Sequence, residues 1–170
     1  GQAVHEHALM GEVRGEMHSA DDEAALLRAI SRCAAILFDV PENHLFLRDP
    51  QTGMLRGSPF EDLLHEIVID PDGAANAINR AWREQRVSHS LDAEIPAGVV
   101  DRQLSRLWET QGTLCLPLSV ADRSLGVLAM GVSHQQLPRL QARARLLRLF
   151  AVTAATELER LRQREMNRQR

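Results

Sequence analysis

Between Thr113 and Val132 the chain reads TLCLPLSVADRSLGVLAMGV, and no other stretch limits the available folds as strongly. Leu114, Leu116, Leu118 and Val120 alternate with Thr113, Cys115, Pro117 and Ser119, the period of a half-buried strand. Ala121 to Ser124 is a polar break of turn-like length. Leu125 to Val132 is then almost continuously apolar with two glycines, as expected for a strand buried on both faces. The pattern predicts a β-hairpin leading straight into a long C-terminal helix.

The 170 residues suffice for one domain with extended terminal elements and a sizeable core. A net charge of -3 and an aromatic content of 4%, with no Tyr, argue against a basic nucleic-acid binder or a base-stacking platform. No apolar run reaches the roughly 18 residues of a membrane span. Gly1 to Ala20 is polar and carries acids, unlike a secretory signal. Cys33 and Cys115 each sit in an apolar periodic segment and read as buried, reduced thiols. A cytoplasmic location is the expectation.

Residues 1–18 lack clean periodicity and read as a linker or the tail of a preceding module, with 19–165 as the domain and 166–170 as a basic tail. Ser19 with Asp22 approximates a capping box, Asp21 competing as N-cap. Leu26, Leu27, Ile30, Cys33, Ala34 and Leu37 then share one helical face, and the helix ends before Pro41. His44 to Asp49, a turn at Pro50 to Gly53, and Met54 to Gly57 form a hairpin. His65 to Asp70 is a short strand. Asp70-Pro71-Asp72-Gly73 opens a helix from about Ala74 to Gln85, and Val87 to Leu91 is extended. After a break at Pro96 to Gly98, Val100, Leu104, Leu107 and Trp108 mark a further amphipathic helix.

The last helix runs from about Leu140 to Arg164. Leu140, Ala144, Leu147, Ala151, Ala154, Leu158 and Leu161 form an a/d heptad stripe, while Leu146, Leu149, Phe150 and Val152 would pack on the sheet. A helix apolar on two faces needs two partners. The stripe is therefore expected to be a coiled-coil interface with the same helix of a second subunit, giving a homodimer.

Motifs for nucleophilic catalysis and phosphate loops are absent, and His65-Glu66 lacks the second histidine of a zinc helix. His5-Glu6-His7 is too short a cluster to close a metal site, so no metal and no certain cofactor is expected. Asp70 to Gly73 lacks the later ligands of a calcium loop. The arginines after Leu137 read as a solvated helix, not a contact for nucleic acid or lipid. Trp82 and Trp108 fall on the inner faces of the two mid-chain helices, and Val87 to Gly98 is polar enough for a pocket lid. His89, Arg102, Trp108, Trp82, Phe46 and Cys115 are the candidate ligand-binding residues, with no catalytic residue among them. Arg102 could meet an anionic ligand, or pair with Asp101 or Glu109.

The element order, the strand Leu-Phe-Leu-Arg-Asp with its turn through Gly53, and Leu116-Pro117-Leu118 followed by Leu125-Gly126-Val127-Leu128 resemble the sensory GAF domain. The likeness spans roughly Asp21 to Arg164. It implies an α+β fold, an α/β/α sandwich whose central, mainly antiparallel sheet carries terminal helices on one face and inserted helices and loops on the other. It also implies a non-catalytic, small-molecule-sensing regulatory domain of a bacterial signal-transduction protein. Such a domain dimerises through its terminal helices and passes ligand binding to an attached output domain. The turn Ala-Asp-Arg-Ser stands where the family often has a glycine, and the cyclic-nucleotide signature is not found. Two alternatives share the fold: a ligand-free dimerisation scaffold, whose cavity Trp82, Trp108 and Met130 would fill, and a methionine-sulfoxide-reductase-like enzyme. The enzyme uses several cysteines near its pocket, where this chain offers Cys115 alone.

Overall fold

The computed structural model describes residues 1–58, 67–91 and 98–169. In chain order the elements are α1 (Gln2–His18), α2 (Glu23–Phe38), β1 (Asn43–Arg48), β2 (Leu55–Ser58), β3 (Val68–Ile69) and α3 (Ala77–Glu84). Then follow β4 (Ser88–Leu91), α4 (Val99–Trp108), β5 (Gly112–Val120), β6 (Arg123–Val132), α5 (Gln136–Gln141) and α6 (Ala144–Arg168). The six strands form one sheet in the order β3-β2-β1-β6-β5-β4, every neighbouring pair antiparallel.

Local chemistry sets the element ends. Asp22 caps α2, its carboxylate accepting the Ala25 N–H at 2.8 Å. Ser19, expected to open that helix, instead closes α1, its hydroxyl donating to the Glu16 carbonyl. Asp70 to Gly73 is a turn closed by Gly73 N–H on the Asp70 carbonyl at 3.0 Å. The true cap of α3 is Asn76, accepting from Asn79 N–H at 2.7 Å, so that helix starts at Ala77 and not Ala74.

The β5–β6 hairpin is tighter than the polar break suggests, because Val120 pairs with Arg123 and only Ala121 and Asp122 lie between the strands. Ala121 takes the left-handed conformation there, φ 55°, where a glycine would be unstrained. Gly126 is fixed by close approach: a Cβ would stand 2.3 Å from the Phe46 carbonyl oxygen of β1. The strand expected at His65 to Asp70 is present as Val68–Ile69; His65 and Glu66 lie outside the described residues.

Strand alternation splits the core into two layers. Leu114, Leu116 and Leu118 of β5 join Leu45, Leu47, Leu128 and Met130 beneath α1, α2 and α6. Phe46, Cys115, Val127 and Ala129 face the other way, beneath Ile78 and Ala81 of α3 and Leu104 and Trp108 of α4.

Two expectations about the terminal helices are corrected. Residues 1–18, expected as an irregular linker or the tail of a preceding module, hold the helix Gln2–His18, which lies against α6 and α2 with Glu6, Met10 and Met17 buried. At its end His18 Nδ1 lies 3.4 Å from the buried Glu157 carboxylate, which also accepts from Arg160 Nε at 2.8 Å. The last helix also does not run unbroken from Leu140. Gln136–Gln141 is the separate α5, and the chain turns at Arg143 before α6 begins.

The heptad stripe faces inward. Leu140, Leu147, Ala151, Ala154, Leu158 and Leu161 are at most 8% exposed, and Ala144 is half-buried. Leu146 and Phe150 are buried too, whereas Val152, expected against the sheet, is 58% exposed. β5, α1 and α2 supply the cover for α6. The stripe therefore finds within the chain the partner helix that the spacing had assigned to a second subunit.

Candidate functional site

Most of the buried polar groups on the sheet face lie in the layer beneath α3 and α4. In β4, Ser88 and Ser90 stand opposite Cys115 and Thr113 of β5, so these four side chains share that face, and all are at most 7% exposed. Arg80 of α3 reaches down to them, its Nε donating to Ser88 Oγ at 3.2 Å and its Nη2 to the His89 carbonyl at 2.6 Å.

Asp101, in the first turn of α4 and 1% exposed, ties the layer together. Its carboxylate accepts the Ala77 N–H at 3.0 and 3.2 Å and the Gly98 N–H at 3.2 Å, joining the N-termini of α3 and α4. Both helix dipoles favour a negative charge at that point. Burial nevertheless raises the Asp101 carboxyl above the ordinary aspartate range. The Ala77 and Gly98 amides, the Arg80 charge and the Ser90 hydroxyl offset it in part. Burial, helped by the Asp101 charge, also pushes the Cys115 thiol far up.

Three buried polar atoms on these elements have no hydrogen-bond partner among the described residues: Thr113 Oγ1, Ser105 Oγ and Asn79 Oδ1. Ser105 follows Asp101 by four residues and so shares its face of α4, while Thr113 is opposite Ser90. Two hydroxyls with unused hydrogen-bonding capacity thus accompany a carboxylate and a guanidinium inside one layer. In chemical terms these groups can donate to and accept from a compact polar molecule.

This architecture matches known folds. No family model and no curated protein matches the sequence. Among solved structures, the GAF domain of a phosphoenolpyruvate-protein phosphotransferase from Coxiella burnetii aligns with TM-score 0.70 at 14% identity, over 98% of this chain and 99% of that one. This chain has the GAF fold. Free methionine-R-sulfoxide reductase from Neisseria meningitidis, solved with its substrate, aligns with TM-score 0.70 at 18% identity, over 96% of this chain and 93% of that one. The GAF domain of a potassium sensor histidine kinase from Escherichia coli aligns with TM-score 0.58 at 15% identity, over 94% and 96%. The GAF fold thus occurs in both regulatory and catalytic chains, and identities this low establish the fold alone.

Of the sequence candidates, Phe46, Trp108 and Cys115 sit together in the GAF layer under α3 and α4. Trp82 is half-buried at its margin and also lines a cleft of about 860 Å³ at the strand ends. Two candidates are elsewhere. His89 alternates with the two serines and faces α5, its Nδ1 3.3 Å from Gln141 Nε2. Arg102 is exposed on α4, and Asp101, considered as its partner, is turned inward to α3. Met130 belongs to the other layer and cannot fill a cavity with Trp108. The lid residues Asp92 to Ala97 lie outside the described residues. Ser88 and Ser90 were expected only as part of the lid, and Arg80, Asp101, Ser105 and Thr113 were not foreseen as site residues. For Ser88 and Ser90 the signal was the Ser-His-Ser alternation, which announces a polar strand face; nothing in the helix patterns marked Arg80, Asp101 or Ser105. No three His, Cys, Asp or Glu side chains gather for a metal among the described residues, and no described helix is long and apolar enough to cross a membrane.

Proposed function

We propose that this chain is a regulatory, non-catalytic sensory domain that binds a small polar molecule beneath α3 and α4. The carrying observation is the buried Asp101–Arg80 region with the unpaired Thr113 and Ser105 hydroxyls beside it. A pure scaffold gains nothing from the two unpaired hydroxyls, since apolar side chains of similar volume stabilise a core at lower cost.

β5 is the natural relay. Thr113 and Cys115 face the proposed ligand layer, while Leu114 and Leu116 face the α6 layer. A ligand that draws on Thr113 shifts the strand against α6, and a packed helix layer answers by changing between discrete arrangements. The long α6 and the docked α1 would carry that change to an attached signalling module.

The reductase alternative is disfavoured by its own chemistry, which needs accessible thiolates. The chain has two cysteines, and they lie in different layers. Burial and the Glu16 carboxylate, whose Oε2 lies 2.9 Å from Cys33 Sγ, push the Cys33 thiol up to about 12. A thermal-shift screen of small polar metabolites tests the sensory reading. The expected result is a stabilising compound whose effect is lost in Ser105→Ala. Stabilisation unchanged by Ser105→Ala, Thr113→Val and Asp101→Asn alike would place its site elsewhere and sink the assignment.

A further inference from the structure

β4 covers the outer edge of β5 only from Gly112 to Cys115, so Leu116 to Val120 runs beyond it. Between that stretch and the first half of α6 lies a groove of about 400 Å³, on the opposite layer from Asp101. Leu116 and Pro117 of β5, Leu147, Ala151 and Val152 of α6, and Val87 beside β4 line it. Val152 is 58% exposed and Val87 half-buried, so apolar surface lies open to water there.

The charges at the groove have one sign. Arg148 and Arg86 line it, and no carboxylate among the described residues does. Arg148 is exposed and makes no ion pair among the described residues, and Arg86 has only a long surface contact to Glu84 at 3.6 Å. A strand from another protein is a poor occupant, because Pro117 offers no N–H to a new ladder. An apolar body with a single anionic head fits both the lining and the charge, and the volume lies in the range of small-molecule sites.

We propose that this groove binds a medium-chain fatty acid, its acyl chain against Leu116, Leu147 and Ala151 and its carboxylate paired with Arg148 and Arg86. The occupant would bear on α6 through Ala144, Leu147 and Ala151, three residues spaced along one face of the helix. The proposal does not depend on the polar ligand site in the other layer.

Titration of the whole chain with decanoate, read by calorimetry and by methyl NMR shifts, tests it. The expected result is saturable one-to-one binding, with shifts concentrated at Val87, Leu116, Leu147 and Val152. Arg148→Gln should weaken it about tenfold, one charge-assisted contact, and decanol should bind less tightly than decanoate. Ala151→Phe should block it, and the methyl shifts of the unaltered chain locate the ligand even if that variant fails to fold. Absence of saturable binding in the millimolar range overturns the proposal, as do shifts confined to the Asp101 layer or equal affinity for decanol. Groove shifts that follow protein concentration instead of decanoate would show a second copy as occupant. Binding that requires anionic phospholipid vesicles would show a membrane surface. Either result also overturns it.

Discussion

Replacing Thr113 with valine should make the unliganded domain more stable and a poorer binder. Thr113 is 0% exposed, and its Oγ1 has no hydrogen-bond partner among the described residues. A hydroxyl buried in that way costs about 1–3 kcal/mol by the measure of core substitutions. Valine keeps the branched Cβ and the β-strand preference, so it removes that cost without opening a cavity. Allowing for partial relaxation around the hydroxyl, Thr113→Val should gain about 1–2 kcal/mol. For a chain of this size that is a rise in Tm of roughly 2–8 °C. Urea unfolding followed by the fluorescence of Trp82 and Trp108 measures it directly. The same variant should lose affinity for the polar ligand, because an acceptor and donor on the sheet is gone. A loss of stability of about 1 kcal/mol or more, the energy of one hydrogen bond, would show that the hydroxyl is bonded in the free protein, and the site reading would fail with it.

Other expectations follow from the same geometry. The raised Asp101 carboxyl pKa means that the folded state holds that proton more tightly than the unfolded chain. Its contribution is then fully present below the ordinary aspartate value of about 4 and lost as pH rises through the folded value. The stability of wild type minus that of Asp101→Asn should therefore fall with rising pH over that window, and a difference that rises would reverse the assignment. Leu158→Ala should cost about 2–5 kcal/mol, and Leu158→Glu should unfold the chain, because this side chain is 0% exposed. A folded Leu158→Glu monomer by analytical ultracentrifugation and circular dichroism would restore the stripe as an intersubunit seam. Gly126→Ala should disrupt the β1–β6 ladder, as its Cβ would collide with the Phe46 carbonyl; an unchanged urea midpoint would contradict that contact.

The hairpin of β5 and β6, the β1–β2 hairpin and helices α2, α3 and α4 were legible because their apolar periods are strong and their breaks carry Pro, Gly or Asp. α1 was not, since its buried line is Glu6, Met10 and Met17, and a carboxylate among so few apolar residues hides the period. The stripe on α6 was legible, but its partner was not. A heptad spacing reports that a helix face is covered and is silent on whether the cover comes from the same chain. At the site, Phe46, Trp108 and Cys115 could be placed because large or apolar residues in periodic segments go inside. Arg80 and Asp101 could not, because charged residues on amphipathic helices usually mark the solvated face, and only the folded register turns these two inward.

Native mass spectrometry of the purified chain, before any additive, decides whether a ligand occupies the layer beneath α3 and α4. The expected result is a population whose mass exceeds the bare chain, or a multiple of it, by a few hundred daltons. That excess should vanish on denaturation and be absent from a Thr113→Val, Ser105→Ala double variant that is otherwise folded. An excess retained in full by the double variant, or bare chain alone in a preparation that also fails to take up any polar metabolite, would contradict a ligand site beneath α3 and α4.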